Sequence, residues 1–170
     1  MCGIVGVQGD FPADLLKRMT DCVAHRGPDG EGAQWIETAH EARTGLGHRR
    51  LAIIDLSAAG CQPMVLRPRD AEDGAVTLVF NGEIYNYREL RSELAAAGHR
   101  FTTQTDSEVL LHLYEREGLG MPSRLNGIFA FAIHDARARG RPAGVAKQKP
   151  RKPLDEVVVV AGLDPASHPG

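Results

Sequence analysis

The sequence predicts a mixed, layered α+β fold, and three observations carry that expectation. Short runs rich in branched and aromatic residues recur at 2–9, 44–56, 76–81 and 128–134, and each reads as a strand. Two helical patterns with start and stop signals lie between the later strands, over 86–98 and 105–118. These elements interleave without the regular βαβ rhythm of a doubly wound sheet, which favours segregated layers of sheet and helix.

Length and composition bound the rest. The chain has 170 residues, 42% hydrophobic and 25% charged, the balance of one water-soluble domain with a sizeable core. A formal net charge of -2 gives no global reason to expect nucleic acid or an anionic membrane as partner. The three cysteines, Cys2, Cys22 and Cys61, contain no C-x-x-C pair, so neither a disulfide framework nor a zinc knuckle is expected, and the default setting is reducing and cytoplasmic. No apolar run approaches the ~18–20 residues of a membrane span, and the N-terminus lacks a signal peptide's pattern. The seven histidines show no metal-ligand spacing with acids or cysteines, so no metal centre is expected.

Element by element, MCGIVG opens a buried strand with small residues where backbone must approach closely. Leu15, Leu16, Met19, Cys22 and Val23 then recur at helical spacing, which makes Cys22 a core residue of that helix. HRGPDGEG, from His25 to Gly32, is turn chemistry. The second strand, 44–56, runs through Arg49, Arg50 and Ile53. Asn86 and Glu89 have the spacing of a capping box for the helix that stops at Gly98. Thr105 or Asp106, with Glu108 following, starts the helix that runs through Leu110 and Leu113 to Gly118. From about Ala138 the composition turns to Arg, Gly, Pro and Lys, giving a domain over 1–137 and a divergent basic tail over 138–170 with at most one short strand. Its KQKPRKP run lacks interleaved aromatics and reads as solvated linker rather than nucleic-acid contact.

Several positions carry chemistry, each beside a plainer alternative. Once Met1 is removed, Cys2 would hold a thiol and a free α-amine on one residue. With a reference pKa of ~7.7–8.0, that amine can act as general base toward the thiol. The alternative is a small buried residue at a strand start. Asn81 and Gly82 offer a side-chain amide and an unhindered N–H for a developing oxyanion, with Glu83 adjacent, yet Asn-Gly is also a common turn. An arginine at 49 or 50 suits a carboxylate, or a solvated strand end. Asp106 suits an ammonium group, or a helix first turn.

Taken in order, MCGIVG, HRGPDG, GLGHRRLAIIDLSAAGCQPM, VFNGEIYNYREL, TDSEVLLHLYEREG and LNGIFAFAIHD resemble the class II glutamine amidotransferase domain of glutamine-hydrolysing asparagine synthetases. The wording NGEIYN with HRGPD is similar to that branch rather than to the amidophosphoribosyltransferase or glucosamine-phosphate synthase branches. The resemblance implies a four-layer αββα sandwich of the N-terminal-nucleophile hydrolase type. It also implies roles: Cys2 as nucleophile, Asn81 and the Gly82 N–H as oxyanion hole, Arg50 for the α-carboxylate of L-glutamine, and Glu83 and Asp106 for its α-ammonium group. Ile53 is implied to lie in the strand whose backbone borders the pocket.

The implied reaction is hydrolysis of glutamine to glutamate and ammonia through a cysteine thioester. In full family members the ammonia passes to a synthetase domain that uses ATP and magnesium; no cofactor is expected for the amidotransferase part. Residues 138–170 do not resemble the family's next strands, so the sandwich is expected to be truncated and incomplete at its C-terminal strands. That leaves two competing expectations: a non-catalytic remnant, or an interaction subunit that docks on a separate synthetase-like partner.

Overall fold

The computed structural model describes residues 1–37, 43–53, 55–67, 74–139 and 156–162. Two antiparallel sheets form. In the first, β1 (Gly3–Gly9), β2 (Gly30–Glu37) and β3 (Arg43–Arg50) lie in the order β1-β3-β2. In the second, β4 (Met64–Leu66), β5 (Val76–Ile84), β6 (Gly127–Asp135) and β7 (Glu156–Gly162) lie in sequence order. Helix α1 (Leu15–Cys22) packs on the first sheet, while α2 (Tyr87–Ala96) and α3 (Asp106–Glu117) cover the second. The described elements therefore stack as helix, sheet, sheet, helix pair, the αββα order.

Alternation along the strands divides the core. Leu78 and Phe80 of β5 pair with Ile133 and Phe131 of β6, and these four face Leu90 and Leu94 of α2 and Leu110 and Leu113 of α3. Val79 and Ala132, one residue along, point the other way and meet Leu46 of β3 in the thin layer between the sheets. Leu46 is fully buried there, and truncating such a leucine to alanine costs about 2–5 kcal/mol. On the outer face of β3, Gly47 lets α1 approach: a Cβ at that position would stand 2.2 Å from Thr20 Oγ1.

Several expectations are corrected. Cys22 is exposed rather than in the core. The inward positions of α1 are Leu16 and Thr20, one turn apart, and Cys22 lies about 200° around the helix from Thr20. The segment after HRGPD is not all turn, because Gly30 begins β2, which pairs with β3 from Arg50 back to Arg43. The strand expected over 44–56 stops at Arg50. Beyond it, the Leu51 and Ala52 N–H groups bond to the Cys2 thiol and the Asp29 carboxylate, so Ile53 lies outside the strand and is 73% exposed. Position 54 of that expectation lies outside the described residues.

Asn81 and Gly82 are neither a turn nor a strand end; both sit inside β5, opposite Ala130 and Phe129. Asn86 precedes α2 as expected but makes no capping bond. Its side chain bonds the Arg124 carbonyl and the Asn126 N–H instead, bracing the approach to β6. At α3 the cap does form, with Glu108 N–H donating to Thr105 Oγ1 at 3.2 Å. In the tail, β7 adds to the second sheet along β6, from Phe129 opposite Gly162 to Asp135 opposite Glu156. The basic run at 147–153 lies outside the described residues.

Candidate functional site

A cavity of about 250 Å³ opens where the ends of the two sheets meet the start of α3. Cys2, Arg50, Ile53, Gly82, Glu83 and Asp106 all line it, so six of the seven positions singled out in the sequence converge from four separate segments. The seventh, Asn81, is adjacent to the lining and half-buried. Its Oδ1 is buried without a hydrogen-bond partner among the described residues, and such an atom calls for an explanation.

Cys2 is held in place by its surroundings. Gly3 of β1 pairs with Arg49, which sets Cys2 beside the chain leaving β3. There Leu51 N–H donates to Cys2 Sγ at 3.3 Å, and the thiol faces the Leu51 carbonyl at 3.7 Å. Arg26 Nε donates to the Cys2 carbonyl at 2.9 Å, and the Asp29 N–H donates to the Arg50 carbonyl at 2.9 Å. Between them, Gly27 lies so close to β3 that a Cβ would stand 2.4 Å from the Arg49 carbonyl carbon. The HRGPDG stretch is therefore a brace that fixes Cys2 against β3, which its turn chemistry alone did not disclose.

Arg50 is buried at 9% exposure. One Nη1–H donates to the Ser57 carbonyl at 2.8 Å, another contacts Cys61 Sγ at 3.7 Å, and Nη2 donates to the Asp55 carbonyl. Asp55 in turn accepts from the Ser57 N–H and hydroxyl and from the Gln104 N–H. The guanidinium is thus oriented before any ligand arrives, so binding a planar carboxylate costs little ordering entropy. Cys61 is an exposed thiol on this loop.

Asp106 occupies the first turn of α3 at 5% exposure and accepts the Ile84 N–H at 3.2 Å. Burial raises its carboxyl pKa from 3.8 to about 6, and the nearby Glu83 charge pushes the same way. The backbone N–H groups of Ile84, Asp106 and Ser107 oppose that shift without cancelling it. Two acids sharing one wall, one of them buried, make a region where a cationic group would be stabilised and would in turn favour the ionised carboxylate.

Gly82 has φ of 152° and no room for a side chain, since a Cβ would lie 2.3 Å from the Ile128 carbonyl oxygen. Only glycine fits this point of β5.

Two lining residues escaped the sequence reading. His48, 1% exposed between the sheets, has its pKa lowered to about 4, mainly by burial, and is neutral at neutral pH. Gln62 is buried with Nε2 donating to Ser107 Oγ at 3.1 Å and Oε1 accepting the Phe80 N–H at 2.6 Å. The β4–β5 pairing ends at Met64 opposite Leu78, and two residues further along β5 the Gln62 side-chain oxygen takes the place of a strand carbonyl for the Phe80 N–H. The Gln-Pro dipeptide directly before a short apolar run was the available signal.

Comparison with known proteins identifies the family of the domain. A family described as "Glutamine amidotransferase domain" matches residues 1–142. The chain is 42% identical over 140 residues to "Asparagine synthetase [glutamine-hydrolyzing] 1" of Bacillus subtilis, covering 78% of this chain and 20% of that protein. It is 41% identical over 142 residues to the asparagine synthetase of Sandersonia aurantiaca, covering 81% of this chain and 25% of that one. Among solved structures, the glutamine phosphoribosylpyrophosphate amidotransferase from B. subtilis superposes with a TM-score of 0.64 at 25% identity, over 79% of this chain and 35% of that one. The chain spans about a fifth to a quarter of these curated relatives. No helix among the described residues is long and apolar enough to cross a membrane. With the family matching most of the sequence and the αββα layers in place, the chain belongs to the glutamine amidotransferase domain family.

Proposed function

We propose that this chain hydrolyses L-glutamine to glutamate and ammonia, with Cys2 as nucleophile. The observation that carries the reading is the convergence of Cys2, Arg50, Gly82, Glu83 and Asp106 on one cavity. An amino acid fits that wall in one sense. Its α-carboxylate meets the ordered Arg50 fork, its α-ammonium group meets Asp106 and Glu83, and its side-chain amide extends toward Cys2.

After loss of Met1, the Cys2 α-amine takes the thiol proton as sulfur attacks the carboxamide carbon. The oxyanion is held by the Asn81 amide and the Gly82 N–H. Collapse breaks the C–N bond, and the α-amine passes the proton to the leaving nitrogen, releasing ammonia and a γ-glutamyl thioester. Water then cleaves the C–S bond, giving glutamate and regenerating the thiol. The fixed brace of Arg26 on the Cys2 carbonyl keeps the terminal residue in register through both steps. The similarity to glutamine-hydrolysing asparagine synthetases points to a synthetase-type acceptor for the ammonia.

The test is glutamate release from glutamine by purified chain shown by mass spectrometry to lack Met1, beside Cys2→Ala. Release that disappears in the variant supports the reading. No release from the processed, folded chain would favour a non-catalytic remnant.

A further inference from the structure

Where the chain leaving α2 meets α3, His99 lies against His112 and Glu115, which stand one turn apart on that helix. His99 Nδ1 and His112 Nδ1 are 3.2 Å apart. Glu115 Oε2 is 3.3 Å from the first and 3.4 Å from the second. The three donor atoms therefore form a nearly equilateral triangle. Metal–ligand distances of about 2.0–2.1 Å place neighbouring donors of a tetrahedral ion about 3.3–3.4 Å apart, so the triangle has the dimensions of one face of such a site.

Hydrogen bonding alone does not account for this arrangement. Each imidazole Nδ1 is either donor or acceptor, and an ionised carboxylate only accepts. With three mutual contacts, every placement of protons leaves two donors or two acceptors facing each other. A cation at the centre satisfies all three.

The surroundings suit that assignment. His112 is 5% exposed, and its Nε2 is buried without a hydrogen-bond partner among the described residues. That nitrogen stands 3.9 Å from Glu108 Oε1. If Nδ1 binds a metal, the ring proton resides on Nε2 and faces a carboxylate, the usual support for a ligating histidine. Phe101 packs edge-on against the same ring at 4.7 Å and limits its rotation. Along the chain the set is hidden, because His99 and His112 lie 13 residues apart on different elements and the His–Glu pair looks like an ordinary helix ion pair.

We propose that His99, His112 and Glu115 bind one divalent transition metal of the zinc class, through both Nδ1 atoms and Oε2, with the fourth position open beside the partly exposed His99 and Glu115. Two imidazoles and one carboxylate favour zinc or cobalt(II) over magnesium or calcium. The ion clamps the segment after α2 to α3. Asp106, which lines the cavity at the sheet ends, begins that same helix about 9 Å along the axis from His112, so the clamp supports that cavity without lying in it. The proposal does not depend on the glutaminase reading.

The test uses the full chain, stripped with a chelator and titrated with zinc chloride and with cobalt(II) chloride. The expected result is one equivalent bound, a tetrahedral-type cobalt spectrum without a thiolate charge-transfer band, and a zinc-dependent rise in Tm. Glu115→Gln and His99→Ala each remove a ligand at a side chain 25% and 17% exposed, and each should weaken binding at least about tenfold while leaving the metal-free circular dichroism unchanged. Absence of saturable binding at micromolar metal, a spectrum dominated by thiolate ligation, or wild-type affinity in either variant would overturn the proposal. Should a variant fail to fold, the cobalt spectrum of the unmodified chain decides the question.

Discussion

Replacing Asp106 with asparagine should make the ligand-free chain more stable while removing its use of glutamine. The Asp106→Asn side chain would be isosteric and neutral, and would keep an acceptor for the Ile84 N–H that Asp106 now accepts at 3.2 Å. In the folded chain the Asp106 pKa rises from 3.8 to about 6. The folded state therefore holds a proton that the unfolded state has lost between those two values, and wild-type stability falls as pH rises through that window. At about 1.36 kcal/mol per pKa unit, the ionised carboxylate costs the ligand-free chain about 3 kcal/mol once pH exceeds the folded pKa. The asparagine variant escapes that cost. For a chain of this size about 3 kcal/mol corresponds to roughly 6–12 °C in Tm. Thermal and urea unfolding at pH 4, 5.5 and 7.5 should show a stability gap that is largest at pH 7.5 and nearly closed at pH 4. Glutamine should raise the wild-type Tm and leave the variant's unchanged. A variant no more stable than wild type at pH 7.5, or a gap that persists undiminished at pH 4, would refute the account of a buried acid held for a cation.

Two further substitutions probe the frame of the site. Gly82→Ala combines a φ of 152° with a Cβ 2.3 Å from the Ile128 carbonyl oxygen, and should cost about 1–3 kcal/mol from backbone strain alone, with the clash added; urea unfolding measures it. Gln62→Leu leaves the Phe80 N–H without its acceptor and the Ser107 hydroxyl without its donor, and should cost about 1–3 kcal/mol. Because Ser107 follows Asp106, steady-state kinetics should show a larger rise in KM for glutamine than loss in kcat.

What the sequence disclosed follows the physics of each segment. The strands of β5 and β6 and the cap of α3 were legible because branched runs and a Thr-x-x-Glu spacing act locally. β2 was not, since GEGAQWIE is glycine-rich and carries no alternation; its pairing with β3 holds it in the sheet. The end of β3 depends on distant side chains, Cys2 and Asp29, that take the N–H groups of Leu51 and Ala52. Asn86 had the composition of a cap, but its amide was claimed by residues 124 and 126, about 40 positions away. At the site, the resemblance of six short blocks to a known family singled out positions of which six line one cavity in the fold. Gln62 and His48 were not singled out, because their importance lies in what they meet across the fold.

The most direct test of the central claim is to expose the processed chain to a diazoketone analogue of glutamine and map the adduct by peptide mass spectrometry. The chain offers an internal control, since Cys22 and Cys61 are both exposed while Cys2 is half-buried. The account predicts one adduct, on Cys2, blocked by excess glutamine and absent when Met1 is retained. Labelling that follows exposure, on Cys22 or Cys61 with Cys2 untouched, would contradict it.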